Sequence, residues 1–156
     1  MLYEFGEIDF NKMSMRDTLR YRRSMEMLAS YFKGLADENR LRILNLLFHG
    51  ELCGCDIQYV LNVSQSTASR HLSYLKNSGL VLDRRAGYRV FYRLVQSKDP
   101  EIAQLFEYLV MAFSKDKVLK ADMKKLRDAI KDGACTVSEW KPMSGLACVR
   151  PQTQEV

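Results

Sequence analysis

The sequence predicts a mainly α-helical (α+β) fold carrying one two-stranded β-hairpin. Three observations predict it. Apolar side chains recur at helical spacing along most of the chain. Residues 80–95 are instead rich in Val, Leu, Tyr and Phe, on either side of the turn residues Ala86-Gly87-Tyr88. Helix-capping and helix-stopping residues (Asp37, Gly50, Ser64, Gly79 and Pro100) divide the remainder into short blocks. With 156 residues and 47% hydrophobic content, the chain is long enough to bury a core as one domain. No run of about 18 apolar residues occurs, so no membrane-spanning helix and no membrane partner is expected. No secretory leader pattern opens the chain.

The elements follow in order. Residues 13–34 contain no helix breaker before Gly34, and Leu19, Met25, Leu28, Tyr31 and Phe32 give an approximate helical stripe. Asp37 is placed to cap the next helix, whose Leu41, Ile43, Leu44, Leu46, Leu47 and Phe48 form a wide apolar face. His49-Gly50 ends it. A short helix then runs to about Leu61, and Asn62-Val63 makes a turn. Ser64 caps a helix over residues 65–77, with Ala68, Leu72 and Leu75 facing inward and Gly79 stopping it. After the hairpin, Asp99-Pro100 opens a helix with Ile102, Leu105, Phe106, Leu109, Val110 and Phe113 on one face. A more charged helix spans residues 117–131 and ends at Gly133. The expected division is an N-terminal extension over residues 1–14, a core domain over 15–133, and a Cys-containing tail over 134–156.

Helix, short helix, turn, helix and basic hairpin is the order of a winged helix-turn-helix. The charge agrees. Residues 64–93 hold Arg70, Lys76, Arg84, Arg85, Arg89 and Arg93 against the single acid Asp83, a local excess of +5 that equals the net charge of the whole chain. Such a concentration fits a polyanion, here double-stranded DNA. Short polar side chains let the second helix of the turn unit approach the major groove. Gln65 can pair with an adenine edge, Ser66 and Ser69 with bases or phosphate, and Arg70 with guanine or phosphate. Arg84, Arg85 and Arg89 flank the hairpin tip and suit phosphate or minor-groove contact. His71, next to inward-facing Leu72, is either a further contact or a structural histidine.

Glu51-Leu52-Cys53-Gly54-Cys55-Asp56-Ile57 is the second feature. The chain has four cysteines. A chain of this size does not need disulfides, so reduced cytoplasmic thiols are expected, available for metal or redox chemistry. Two residues apart in an α-helix, Cys53 and Cys55 would point about 200° away from each other. In an extended segment they fall on one side, about 6.6 Å apart along the backbone. Ion binding is therefore expected to hold the start of the short helix unwound and to tilt the reading helix beside it. A helix N-terminus favours the thiolate form, and thiolates select soft ions.

Four stretches carry a resemblance. They are Leu35-Ala36-Asp37-Glu38-Asn39-Arg40-Leu41-Arg42-Ile43-Leu44, the thiol stretch, Ser64-Gln65-Ser66-Thr67-Ala68-Ser69-Arg70-His71-Leu72, and Gly87-Tyr88-Arg89-Val90-Phe91-Tyr92. Together they resemble the ArsR/SmtB family of bacterial metal-responsive repressors, over roughly residues 31–95. The resemblance implies a homodimeric winged helix that represses its operon until an effector releases it from operator DNA. The thiol stretch resembles the arsenic-responsive branch, which implies trivalent arsenic or antimony as effector. That branch commonly has a third cysteine three residues after the second, where this chain has Gln58. Cys135 or Cys148 is then the candidate third sulfur beside Cys53 and Cys55. The family's zinc site uses histidines on the last core helix, and residues 99–131 contain none, so no such zinc site is expected. The competing readings are the same fold sensing cadmium, lead or a thiol oxidant, and a small thiol oxidoreductase. The second leaves the localised charge unexplained, and no enzyme activity is expected.

Overall fold

The computed structural model describes residues 14–96 and 100–132. The N-terminal extension, Asp99, and the tail with Cys135 and Cys148 lie outside the described residues. Helix α1 spans Met15–Leu35, α2 Glu38–Leu47, α3 Gly54–Leu61, α4 Gln65–Asn77, α5 Pro100–Phe113 and α6 Lys117–Lys131. Three strands join them: β1 Leu52–Cys53, β2 Val81–Ala86 and β3 Arg89–Leu94.

The caps do what their chemistry dictates. Asp37 takes extended backbone and accepts from the Arg40 amide at 3.0 Å, opening α2. Ser64 does the same for α4 through the Thr67 amide at 3.2 Å. Asp116 caps α6 through the Leu119 amide at 3.0 Å. Asn62 closes α3 in the left-handed conformation, φ 55°, and so makes the sharp turn into α4. Gly87, at φ 60°, supplies the positive φ that a two-residue hairpin loop needs.

The sheet has one strand more than the sequence suggests. Beside the β2–β3 hairpin, β1 pairs antiparallel with β3, giving the order β1-β3-β2. Leu52 lies opposite Tyr92 and Cys53 opposite Phe91. Two residues are too few to show the alternation by which a strand is recognised. The wing is therefore anchored on the thiol stretch itself.

The core lies between α2, α3, α4 and the sheet. Ile43, Leu44, Leu46, Leu47, Leu52, Ile57, Leu75, Leu80 and Leu94 are fully buried in it. Helix α6 packs on α2 and α3 through Leu119 and Leu126. There Arg42 grips Asp122 with two bonds of 2.7 and 2.8 Å, and this carboxylate raises the Arg42 pKa above its ordinary value. Arg40 ties the α1–α2 corner. Its Nε donates to the Gly34 carbonyl at 2.6 Å and its Nη2 to the Lys33 carbonyl at 2.9 Å, while its guanidinium stacks on the Tyr74 ring of α4. Exposed apolar side chains remain on α1 (Met25, Leu28, Phe32) and on α5 (Tyr108, Val110, Met111).

Gly34 is the point of closest approach between α1 and the end of α4. A Cβ there would stand 2.5 Å from Ser78 Oγ and 2.9 Å from Ser78 Cβ. Gly34→Ala is expected to lower stability by ~1–3 kcal/mol, the usual cost of overpacking, read as a drop in urea midpoint at constant slope. An unchanged midpoint would show that the two helices do not need this contact.

Candidate thiol site and nucleic-acid interface

The thiol site is built by a backbone change between adjacent residues. Cys53 ends β1 at φ −69°, ψ 144°, and Gly54 begins α3. With one thiol on extended backbone and the other in the first helical turn, the opposition that holds inside a helix no longer applies. The Cys55 thiol donates to Cys53 Sγ at 2.8 Å. The expectation that α3 must unwind to bring the thiols together is therefore corrected: the junction already brings them together. Cys53 is buried and Cys55 is exposed, so one thiol anchors the site and the other opens it to solvent.

A third donor stands beside them. Asp56 is buried, with Oδ1 3.8 Å from Cys55 Sγ, and ligand atoms of Cys53, Cys55 and Asp56 all lie within 4.8 Å of one another. Two sulfurs each about 2.3 Å from one soft ion stand roughly 3.3–3.8 Å apart, so the thiols at 2.8 Å need part only slightly to admit it. The donor set thus fits an ion bound by two thiolates and one further ligand. The sequence reading missed Asp56. The signal was present, since Asp56 precedes buried Ile57 and lies one turn from buried Val60, on the inward stripe of α3. Gln58 is half-buried in the same helix.

On α4 the predicted inward residues Ala68, Leu72 and Leu75 are buried. Gln65, Ser66, Ser69 and Arg70 are exposed together with Ser73 and Tyr74. His71 departs from its expectation as a DNA contact. It is buried with the core, and its Nδ1 lies 3.4 Å from Asp37 Oδ1, so it braces α4 against the cap of α2.

The wing divides its arginines. Arg85 and Arg89 are exposed near the tip, where Tyr88 is fully exposed. Arg84 is engaged elsewhere. Its Nε donates to both Glu51 oxygens at 2.9 and 3.0 Å, and its Nη2 to Oε2 at 2.6 Å. Its guanidinium also sits 4.7 Å from the centre of the Phe91 ring. One residue back on β2, Asp83 accepts from Lys76 of α4 at 2.8 Å, and that bond holds its carboxyl below the ordinary value. Burial, followed by the charge of Asp83, raises the Tyr92 phenol above its ordinary value.

Residues 37–82, which hold α2, the thiol stretch, the helix-turn-helix and the start of the first wing strand, match the family described as "Bacterial regulatory protein, arsR family". The chain is 35% identical over 120 residues to the arsenic resistance transcriptional regulator ArsR1 of Pseudomonas putida, covering 75% of this chain and 84% of that protein. The chain belongs to the arsR family. A second relative, the cadmium resistance transcriptional regulatory protein CadC homolog of Staphylococcus aureus, is 41% identical over 81 residues, covering 51% of this chain and 64% of that one. Among solved structures, the homodimeric winged helix-turn-helix DNA-binding domain of Mb0332 from Mycobacterium bovis is similar at a TM-score of 0.53 and 33% identity, over 65% of this chain and 87% of that one. Members of the arsR family are DNA-binding transcriptional regulators and not enzymes, and this chain is such a repressor. That sets the oxidoreductase reading aside. Among the described residues, no helix is long and apolar enough to cross a membrane.

If Asp56 completes the donor set, Asp56→Asn is expected to weaken ion binding by at least the roughly ten- to hundredfold that loss of a mere outer-shell partner costs. Titration followed by the ultraviolet sulfur-to-ion absorption measures it. Equal affinity in the variant would exclude the carboxylate.

Proposed function

We propose that this repressor leaves its operator when a trivalent arsenic or antimony species binds the Cys53 and Cys55 thiolates. The observation that carries the reading is the thiol pair, 2.8 Å apart at a junction wired to both the reading helix and the wing. Trivalent arsenic is trigonal and thiophilic. Two sulfurs and one further donor complete its shell, the donor being Asp56, or Cys135 or Cys148 of the tail. The arsenic resistance regulator among the relatives supports the same effector.

The DNA surface proposed is the exposed face of α4, with Gln65, Ser66, Ser69 and Arg70, together with Arg85 and Arg89 of the wing. Buried His71 and carboxylate-bound Arg84 are left out of it. Two copies of the chain bind a pseudo-palindromic operator, joined through the exposed apolar faces of α1 and α5, in keeping with the homodimeric neighbour. A second reading keeps the machinery and changes the ion. Two thiolates with a carboxylate also suit cadmium or lead, and one relative is a cadmium resistance regulator.

An operator gel shift in the presence of arsenite, antimonite, cadmium or lead separates these. Arsenite is expected to weaken operator binding about tenfold or more, within the usual range of coupling between sites. Cys53→Ser with Cys55→Ser should abolish that response while keeping operator binding without the ion. Release that persists in the double variant excludes the site. Sulfur count by X-ray absorption in wild type, Cys135→Ser and Cys148→Ser identifies the third donor.

A further inference from the structure

The thiols need no unwinding of α3 to meet, so ion binding must reach the DNA surface through whatever the junction touches. Its contacts run across the sheet. Cys53 of β1 lies opposite Phe91 of β3, and Phe91 lies opposite Arg84 of β2, so the three share one row. Arg84 stacks on Phe91 and chelates Glu51, two residues before Cys53. The Glu51 side chain is 17% exposed and that of Arg84 42%. The next residue of β2, Asp83, is bonded to Lys76 in the last turn of α4. The strand that carries the wing is thus pinned to the thiol stretch at one residue and to the reading helix at its neighbour.

We propose that the Glu51–Arg84 ion pair is the strut that carries the state of the thiol site to the wing. This rests on the release reading above. A forked guanidinium on a carboxylate fixes distance and direction together, and stacking on Phe91 fixes the plane of the fork. β1 is only two residues long and pairs with β3 alone. An ion seated between Cys53, Cys55 and a third donor resets their spacing, and so moves β1 and Glu51 without breaking the β2–β3 hairpin. Arg84 follows Glu51, and Arg85 and Arg89, further along the same hairpin, change their approach to DNA. Glu51 and Arg84 are positioning residues. Neither binds the ion, and Arg84 does not bind phosphate.

The test measures operator affinity with and without arsenite for the full-length wild type, Glu51→Gln, Arg84→Gln and the double variant, at several salt concentrations. Site loading is followed in parallel by sulfur-to-ion absorption. Glu51→Gln is expected to bind arsenite normally and to keep operator affinity without the ion within about threefold of wild type. Its ratio of ion-free to ion-loaded affinity should fall at least about fivefold, a loss of coupling at the lower edge of what linked sites show. The double variant should show the same ratio as either single one, because one pair carries one coupling. An unchanged ratio in Glu51→Gln overturns the strut. So does a salt slope shallower by about 0.9 in Arg84→Gln, which is the loss of one phosphate contact. A wild type that arsenite does not release refutes the effector reading and the strut with it. A wild type that is released while Glu51→Gln is released equally refutes the strut alone.

Discussion

Two residues of strand pairing hold the functional geometry of this protein. Leu52 and Cys53 lie against Tyr92 and Phe91, and Leu52 is sealed into the core. This pairing keeps Cys53 on extended backbone up to the residue before α3 begins. A junction one residue earlier would place both thiols inside the helix, on opposite sides. One residue later would start α3 in a different phase and turn Asp56 off the inward face it shares with Val60. The same pairing joins the wing to the thiol stretch, so the proposed sensing site and the wing are continuous through one small sheet.

What was legible in the sequence was local. Asp37 and Ser64 announce their helices because a short oxygen-bearing side chain before an apolar stripe has one good use there. The hairpin announces itself because Gly87 separates two β-rich runs. What was not legible depended on partners far along the chain. Glu51 and Arg84 are 33 residues apart, and nothing in either neighbourhood signals the other. For that reason Arg84 read as one more arginine of a basic hairpin. His71 was ambiguous because it follows exposed Arg70 and precedes buried Leu72, and only the position of Asp37 decides which side it joins. β1 escaped because a strand of two residues has no period.

The charge pattern also changes meaning in three dimensions. The excess of +5 in residues 64–93 fits a polyanion as a count of charges along the chain. Within the fold Lys76 is paired with Asp83 and Arg84 with Glu51. Exposed pairs of this kind contribute little to stability, typically 0–1 kcal/mol. Their significance is positional, since both terminate on β2 at adjacent residues. Of the predicted contact residues, Arg70 on the reading helix and Arg85 and Arg89 at the wing are exposed, and Arg84, though exposed, is held by Glu51. That spread suits the proposed surface, in which wing and helix meet different parts of the duplex.

Magnitudes favour the sheet over the helix as the moving part. A tenfold weakening of DNA binding needs about 1.4 kcal/mol of coupling, and a hundredfold about 2.7. Tilting α3 would drag Ile57, Val60 and Leu61, all buried, and each such side chain is worth ~1.5–3 kcal/mol of burial. Shifting β1 disturbs a two-residue pairing whose hydrogen bonds contribute ~0.5–1.5 kcal/mol each. The second cost lies in the range that a coupling of this size can meet, and the first exceeds it. The proposed sensing site, on the shortest strand among the described residues, can therefore act on the wing while the core keeps its packing.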